Sequence, residues 1–195
     1  MKKTSLQNIE RFIRRLVYGF TQNPDALAIN TELVNGTISV QLCPAAEDTG
    51  ALIGTNGKMH KAFQTILTVL ASRSGLKLYL AAVVEPQDKR KTSAEKRKLA
   101  TEDIGNLFNI TCEELFEKPF GWAWDKDDRR SNINLMISKN EARHVTDAEL
   151  GECLSRVFNA IGHNNGTKIY VFLERSKAPT TAGSGYGLGV SGANI

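Results

Sequence analysis

Leu52-Ile53-Gly54-Thr55-Asn56-Gly57-Lys58 is the stretch on which the reading of this chain turns. Before it, Ala45 to Ile53 predicts a short helix. After it, Lys58 to Ser74 predicts a longer one, with Met59, Phe63, Ile66, Leu67 and Leu70 spaced along a single buried face. Glycines at both ends let the backbone turn sharply and remove side chains that would hold a ligand away. The loop opens directly into a helix start, where free N–H groups and the positive end of the helix dipole attract phosphate. Lys58 and Lys61 lie one helical step apart, so both ammonium groups point the same way.

Working outward, Leu6, Ile9, Phe12, Ile13, Leu16, Val17 and Phe20 predict an opening amphipathic helix, which Asn23-Pro24-Asp25 ends. Leu27 to Val34 and Thr37 to Leu42 predict a hairpin, because Asn35-Gly36 tolerates the positive φ angles of a tight primed turn. Pro44 closes the second strand, Gly75 suits the place just past a helix end, and Leu76 to Val84 predicts a third strand. The order is α-β-β-α-α-β. An antiparallel three-stranded sheet with helices on one face would bury these stripes.

The same apolar skeleton returns later in the chain. At an offset of 95, Ile9, Phe12, Ile13, Val17 and Phe20 fall on Ile104, Leu107, Phe108, Cys112 and Leu115, Leu27 and Ile29 on Trp122 and Trp124, and Ile38, Val40 and Leu42 on Ile133, Leu135 and Ile137. Past the loop the offset is 91: Met59, Phe63, Ile66 and Leu70 fall on Leu150, Leu154, Val157 and Ile161, and Leu78, Leu80 and Ala82 on Ile169, Val171 and Leu173. One register therefore holds across a helix and two strands, then resumes after a single deletion where the first copy carries its glycine loop. The expected fold class is α+β, two tandem α-β-β-α-α-β units. The expected division is residues 1–86, a basic linker at 87–98, a second unit at 99–175, and a Gly/Ser-rich tail at 176–195.

Within this order of elements, Gly54-Thr55-Asn56-Gly57 resembles the signature loop of the KH domain, and the upstream helix and hairpin resemble its prokaryotic, type II arrangement. Residues 9 to 85 are similar to the small bacterial KhpA-like KH proteins. The resemblance implies a non-catalytic single-stranded RNA-binding protein, with Gly54, Thr55, Asn56, Gly57, Lys58 and Lys61 holding the sugar-phosphate backbone of about four nucleotides. Family loops commonly carry a basic residue between the glycines; Thr55 and Asn56 offer hydrogen bonds instead of charge, which implies modest affinity. If Lys58, Lys61 and one or two linker cations meet phosphates, the salt slope would be roughly −2 to −3.

The second copy differs at the equivalent place. Lys58 and Lys61 become Glu149 and Glu152, and Thr146 with Glu149 predicts a capping box that starts the helix without a glycine turn. Carboxylates there would repel a phosphate strand, so copy two is expected to be a structural or partner-binding module, a degenerate KH-like repeat. Trp122, Trp124 and Phe120 are its candidate contacts, and sheet-face packing is the alternative for the two tryptophans. The competing function for the whole chain is a protein–protein interaction or self-association module built on a KH-like fold.

Length and composition agree with packed cores: 195 residues, 41% hydrophobic, net charge +4 and pI near 9.0. The basic excess concentrates at Lys89, Arg90, Lys91, Lys96, Arg97 and Lys98, equally the composition of a solvated linker and of a binding patch. Cys43, Cys112 and Cys153 are odd in number and widely spaced, and no apolar segment follows Lys2-Lys3, so a reducing cytoplasm is the expected compartment. No apolar run reaches the roughly 18 residues of a membrane span. Gly57-Lys58 lacks the surroundings of a nucleotide-hydrolase P-loop, with Leu52 and Met59 where glycine and Ser or Thr are needed. His60, His144 and His163 share no ligand spacing, and Asp125, Asp127 and Asp128 lack the rest of a calcium loop, so no metal or cofactor is expected. No nucleophile and base pair up.

Overall fold

The computed structural model describes residues 6–83, 99–116, 121–126, 130–138 and 145–176. The first α+β unit runs α1 (Leu6–Tyr18), β1 (Ala28–Val34), β2 (Thr37–Cys43), α2 (Ala46–Ile53), α3 (Lys58–Ser72) and β3 (Lys77–Val83). The second runs α4 (Thr101–Leu115), β4 (Gly121–Lys126), β5 (Arg130–Ser138), α5 (Asp147–Asn164) and β6 (Lys168–Ser176). A counterpart of α2 in the second unit would fall largely on residues 139–144, outside the described residues, as do the basic linker, Phe120, Asp127, Asp128, His144 and the tail.

Both units build a three-stranded sheet, in the orders β1-β2-β3 and β4-β5-β6. Asn35 and Gly36 take φ of 51° and 75°, the pair of positive angles that a primed hairpin turn needs, and β1 pairs antiparallel with β2. The expectation of a wholly antiparallel sheet is corrected: β2 pairs parallel with β3, and β5 with β6. The helices between these strands carry the chain back along the sheet, which is the crossover that a parallel pair requires and a hairpin cannot supply.

Helices cover one face of each sheet. Along β2 the buried residues are Ile38, Val40 and Leu42, alternating with half-buried polar ones. The two helical layers then pack on each other, α3 against α5 and α1 against α4, so a single apolar cluster runs through both units. Polar ties cross the seam. Asn164 Nδ2 donates to the Phe20 carbonyl at 2.7 Å, Arg15 stands 3.7 Å from the Glu114 carboxylate, and Arg73 Nη1 donates to the Glu114 carbonyl. Gly19 permits the approach: a Cβ there would lie 2.9 Å from the Ile161 side chain.

Two details repeat between the units at the 91 offset. On β3, Gln64 Nε2 donates to the Leu78 carbonyl at 3.0 Å and its Oε1 accepts from the Leu80 N–H at 2.5 Å. On β6, the Ser155 hydroxyl donates to the Val171 carbonyl at 2.9 Å and accepts from its N–H at 2.5 Å. Helix side chains thus satisfy peptide groups on the outer edges of both sheets. Gly75 and Gly166 end α3 and α5 at φ of 68° and 86°, with the next N–H returning to Ala71 and Gly162 respectively.

Trp122 and Trp124 are half-buried and pack against the core, with Trp122 edge-on to Phe108 at 5.4 Å and its Nε1 donating to Asn109 Oδ1 at 3.2 Å. A Cβ at Gly105 would come within 2.9 Å of the Trp124 ring. Of the two readings for these rings, the structure supports packing. The three cysteines are free, and burial, with Glu113 adding to it, pushes the Cys112 thiol well above its usual range. Among the described residues no group of three or more His, Cys, Asp or Glu could hold a metal, and no helix is long and apolar enough to cross a membrane.

Candidate nucleic-acid interface

The six residues singled out in the sequence form one continuous surface between α2 and α3. Gly54 caps the end of α2 at φ 70°, its N–H bonding the Gly50 carbonyl at 2.8 Å. A Cβ on Gly54 would lie 2.7 Å from Met59 Cβ and 2.9 Å from Met59 N, so this position requires glycine for space as well as for its backbone angle. Thr55–Gly57 makes one 3₁₀ turn, closed by Gly57 N–H on the Gly54 carbonyl at 3.2 Å. Asn56 sits at φ 54°, a left-handed conformation that Asn adopts more readily than most residues.

Gly57 is the N-cap of α3, left-handed at φ 71°, and no side chain caps this helix start. A Cβ on Gly57 would meet nothing within 4 Å. The space over the helix start is therefore open. Thr55, Asn56, Lys58 and Lys61 are exposed, while Met59 is buried and anchors the turn. The loop thus offers hydroxyl and amide donors, two ammonium groups and an uncapped helix start, an arrangement suited to an extended anion.

Sequence reasoning missed two contributors. Ile53, 39% exposed, places an apolar side chain immediately before the loop. Its exposure was not readable because α2 is too short for a periodic stripe to distinguish inside from outside. Asp48, only 2% exposed, accepts backbone N–H bonds from Gln22 at 2.7 Å and Asn23 at 2.8 Å, while Asn23 Nδ2 donates to Glu47 Oε1. These bonds tie α2, and hence the loop, to the segment after α1.

The start of α5 has the opposite character. Thr146 donates to Glu149 Oε2 from its hydroxyl at 2.7 Å and its N–H at 3.1 Å, and the Glu149 N–H returns to Thr146 Oγ1 at 3.2 Å. This is the predicted capping box. The hydrogen bonds from the Thr146 hydroxyl and backbone hold the Glu149 carboxyl below its usual range, and the charge of Lys61 adds to the effect. Cys153, raised above its usual range chiefly by burial, hydrogen-bonds Thr65. The nearness of Lys61 to Glu149 and of Thr65 to Cys153 sets α3 and α5 side by side in the same direction. The open and the closed helix starts are neighbours.

Residues 10–82 match the family model of the KhpA/KhpB KH domain. That span takes in nearly all of the first unit, including the loop. Over that span the first unit is similar to the KH domain of this family. No curated protein and no solved structure matches the chain.

Proposed function

We propose that the chain is a non-catalytic protein that holds single-stranded RNA at Gly54, Thr55, Asn56 and Gly57, with Lys58 and Lys61 meeting the phosphates. The reading rests above all on the α3 start: glycine-capped, free of a side-chain cap and open to solvent, within a unit that is similar to the KhpA/KhpB KH domain. The backbone of a few nucleotides would lie over these amides, and Ile53 would meet a base. The second unit is then a degenerate KH-like repeat that braces the helical face of the first, and the units divide at about the linker, 87–98.

Thr55→Asp combined with Asn56→Asp tests this. Both side chains are exposed, so the melting curve should stay nearly unchanged while two carboxylates confront the phosphates. Retention of single-stranded RNA in a filter assay should be abolished. Undiminished retention by a folded variant would overturn the assignment of the loop.

A further inference from the structure

The sheet of the second unit turns a second, different surface outward. Along β6, Ile169 and Val171 are buried, and the alternate residues Tyr170 and Phe172 stand 37% and 51% exposed, with Tyr170 also bordering the groove along α5. On the adjoining strand β5, Asn132 lies opposite Tyr170 and Asn134 opposite Phe172. Lys168, exposed, begins the strand. Residues two apart on a strand share one face about 7 Å apart, so the two rings form a row with an amide beside each. Part of this row also occurs in the first unit. Lys77 and exposed Tyr79 correspond to Lys168 and Tyr170 at the 91 offset, while Ala81 stands where Phe172 does. Core packing cannot explain the match, since these side chains lie outside the core.

We propose that the outer face of the second sheet is a stacking platform for the bases of single-stranded RNA, with Tyr170 and Phe172 as the stacking rings, Asn132 and Asn134 addressing base edges and Lys168 a phosphate. Aromatic side chains spaced along an open sheet take up unpaired bases in this way, and each amide offers both a donor and an acceptor. The chemistry of the face favours nucleic acid over a second protein. At their exposures the rings present on the order of 200 Å² between them, rimmed by amides and a lysine, against about 800 Å² per partner in a stable protein interface. The platform is separate from the glycine loop and does not depend on it.

Fluorescence anisotropy with labelled oligouridylates of two lengths separates the sites. A strand of about four nucleotides fills the loop alone, whereas one of about twelve can also reach the platform. Phe172→Ala should weaken binding of the long strand about ten-fold, leave the short strand unaffected, and leave the salt slope unchanged because stacking releases no counterions. Phe172→Trp should restore the long-strand affinity. If the short strand fails to bind the wild-type chain while long-strand binding still depends on Phe172, the platform stands and the loop reading falls. Long-strand affinity unchanged in both Phe172→Ala and Tyr170→Ala would overturn the platform. So would a self-associated chain that Phe172→Ala dissociates in sedimentation without altering RNA binding.

Discussion

The starts of α3 and α5 occupy matching places in the two units, lie side by side, and are finished in opposite ways. One begins at a left-handed glycine with nothing over it; the other is sealed by a threonine and a glutamate that satisfy each other and the backbone. A helix start can be completed from within the chain or left for a ligand to complete. The protein does both within one seam, so its second unit works as an internal control on its first.

The largest effect should come from Gly54→Ala, where the left-handed backbone angle and the overlap with Met59 act together. A loss of about 3 kcal/mol should lower the melting midpoint by on the order of 10 °C in calorimetry. Gly57→Ala should cost only about 1–2 kcal/mol for its backbone angle, since its Cβ enters open space, yet RNA retention should fall because that space is where the strand would lie. If Gly57→Ala binds RNA like the wild type, the open helix start is not a contact.

Thr146→Ala should destabilise by about 1 kcal/mol through loss of the cap, measured by urea unfolding, with RNA retention unaltered. A matching loss of RNA binding would show that the two helix starts act as one site. Lys58→Ala and Lys61→Ala should each flatten the logarithmic salt dependence of binding by about 0.7, the increment for one phosphate contact on a single strand.

Smallest is Glu149→Gln, which keeps the capping geometry but removes the carboxylate near Lys61; retention at low salt should rise on the order of two-fold. The same carboxyl gives a pH signature. Its native value lies below the ordinary carboxylate range, so its contribution to stability is complete above about pH 4.3 and disappears as the pH falls through the native value. Thr146→Ala should bring the titration of Glu149, followed by its side-chain NMR shift, back toward that ordinary value.

Much of the fold was legible because local rules and the tertiary structure agree. Asn35-Gly36 makes its hairpin, the Ile38, Val40 and Leu42 alternation points inward, and the stripe from Ile9 to Val17 is the buried side of α1. The parallel direction of β2 and β3 was not legible, since alternation reports which face is buried and not which way a neighbour runs. Nor was the packing of α3 on α5. The repeat offsets identify two copies without fixing how they meet, so the proximity of Lys61 and Glu149 emerges only from the fold. At the loop, residue identity and spacing were enough to place the turn between α2 and α3, because glycine geometry is local. The repeat offset already sets Ile169, Val171 and Leu173 on the core side, yet the exposure of Tyr170 and Phe172 on the other side was not legible, because an apolar run cannot report whether its second face is covered.

The plugging of β3 and β6 by Gln64 and Ser155 has a consequence for crowding. A foreign strand attempting to lengthen either sheet from that side finds the central docking positions already taken, so growth by accretion stalls at the first addition. Copies of the chain crowded together would therefore meet along these borders without seeding fibres.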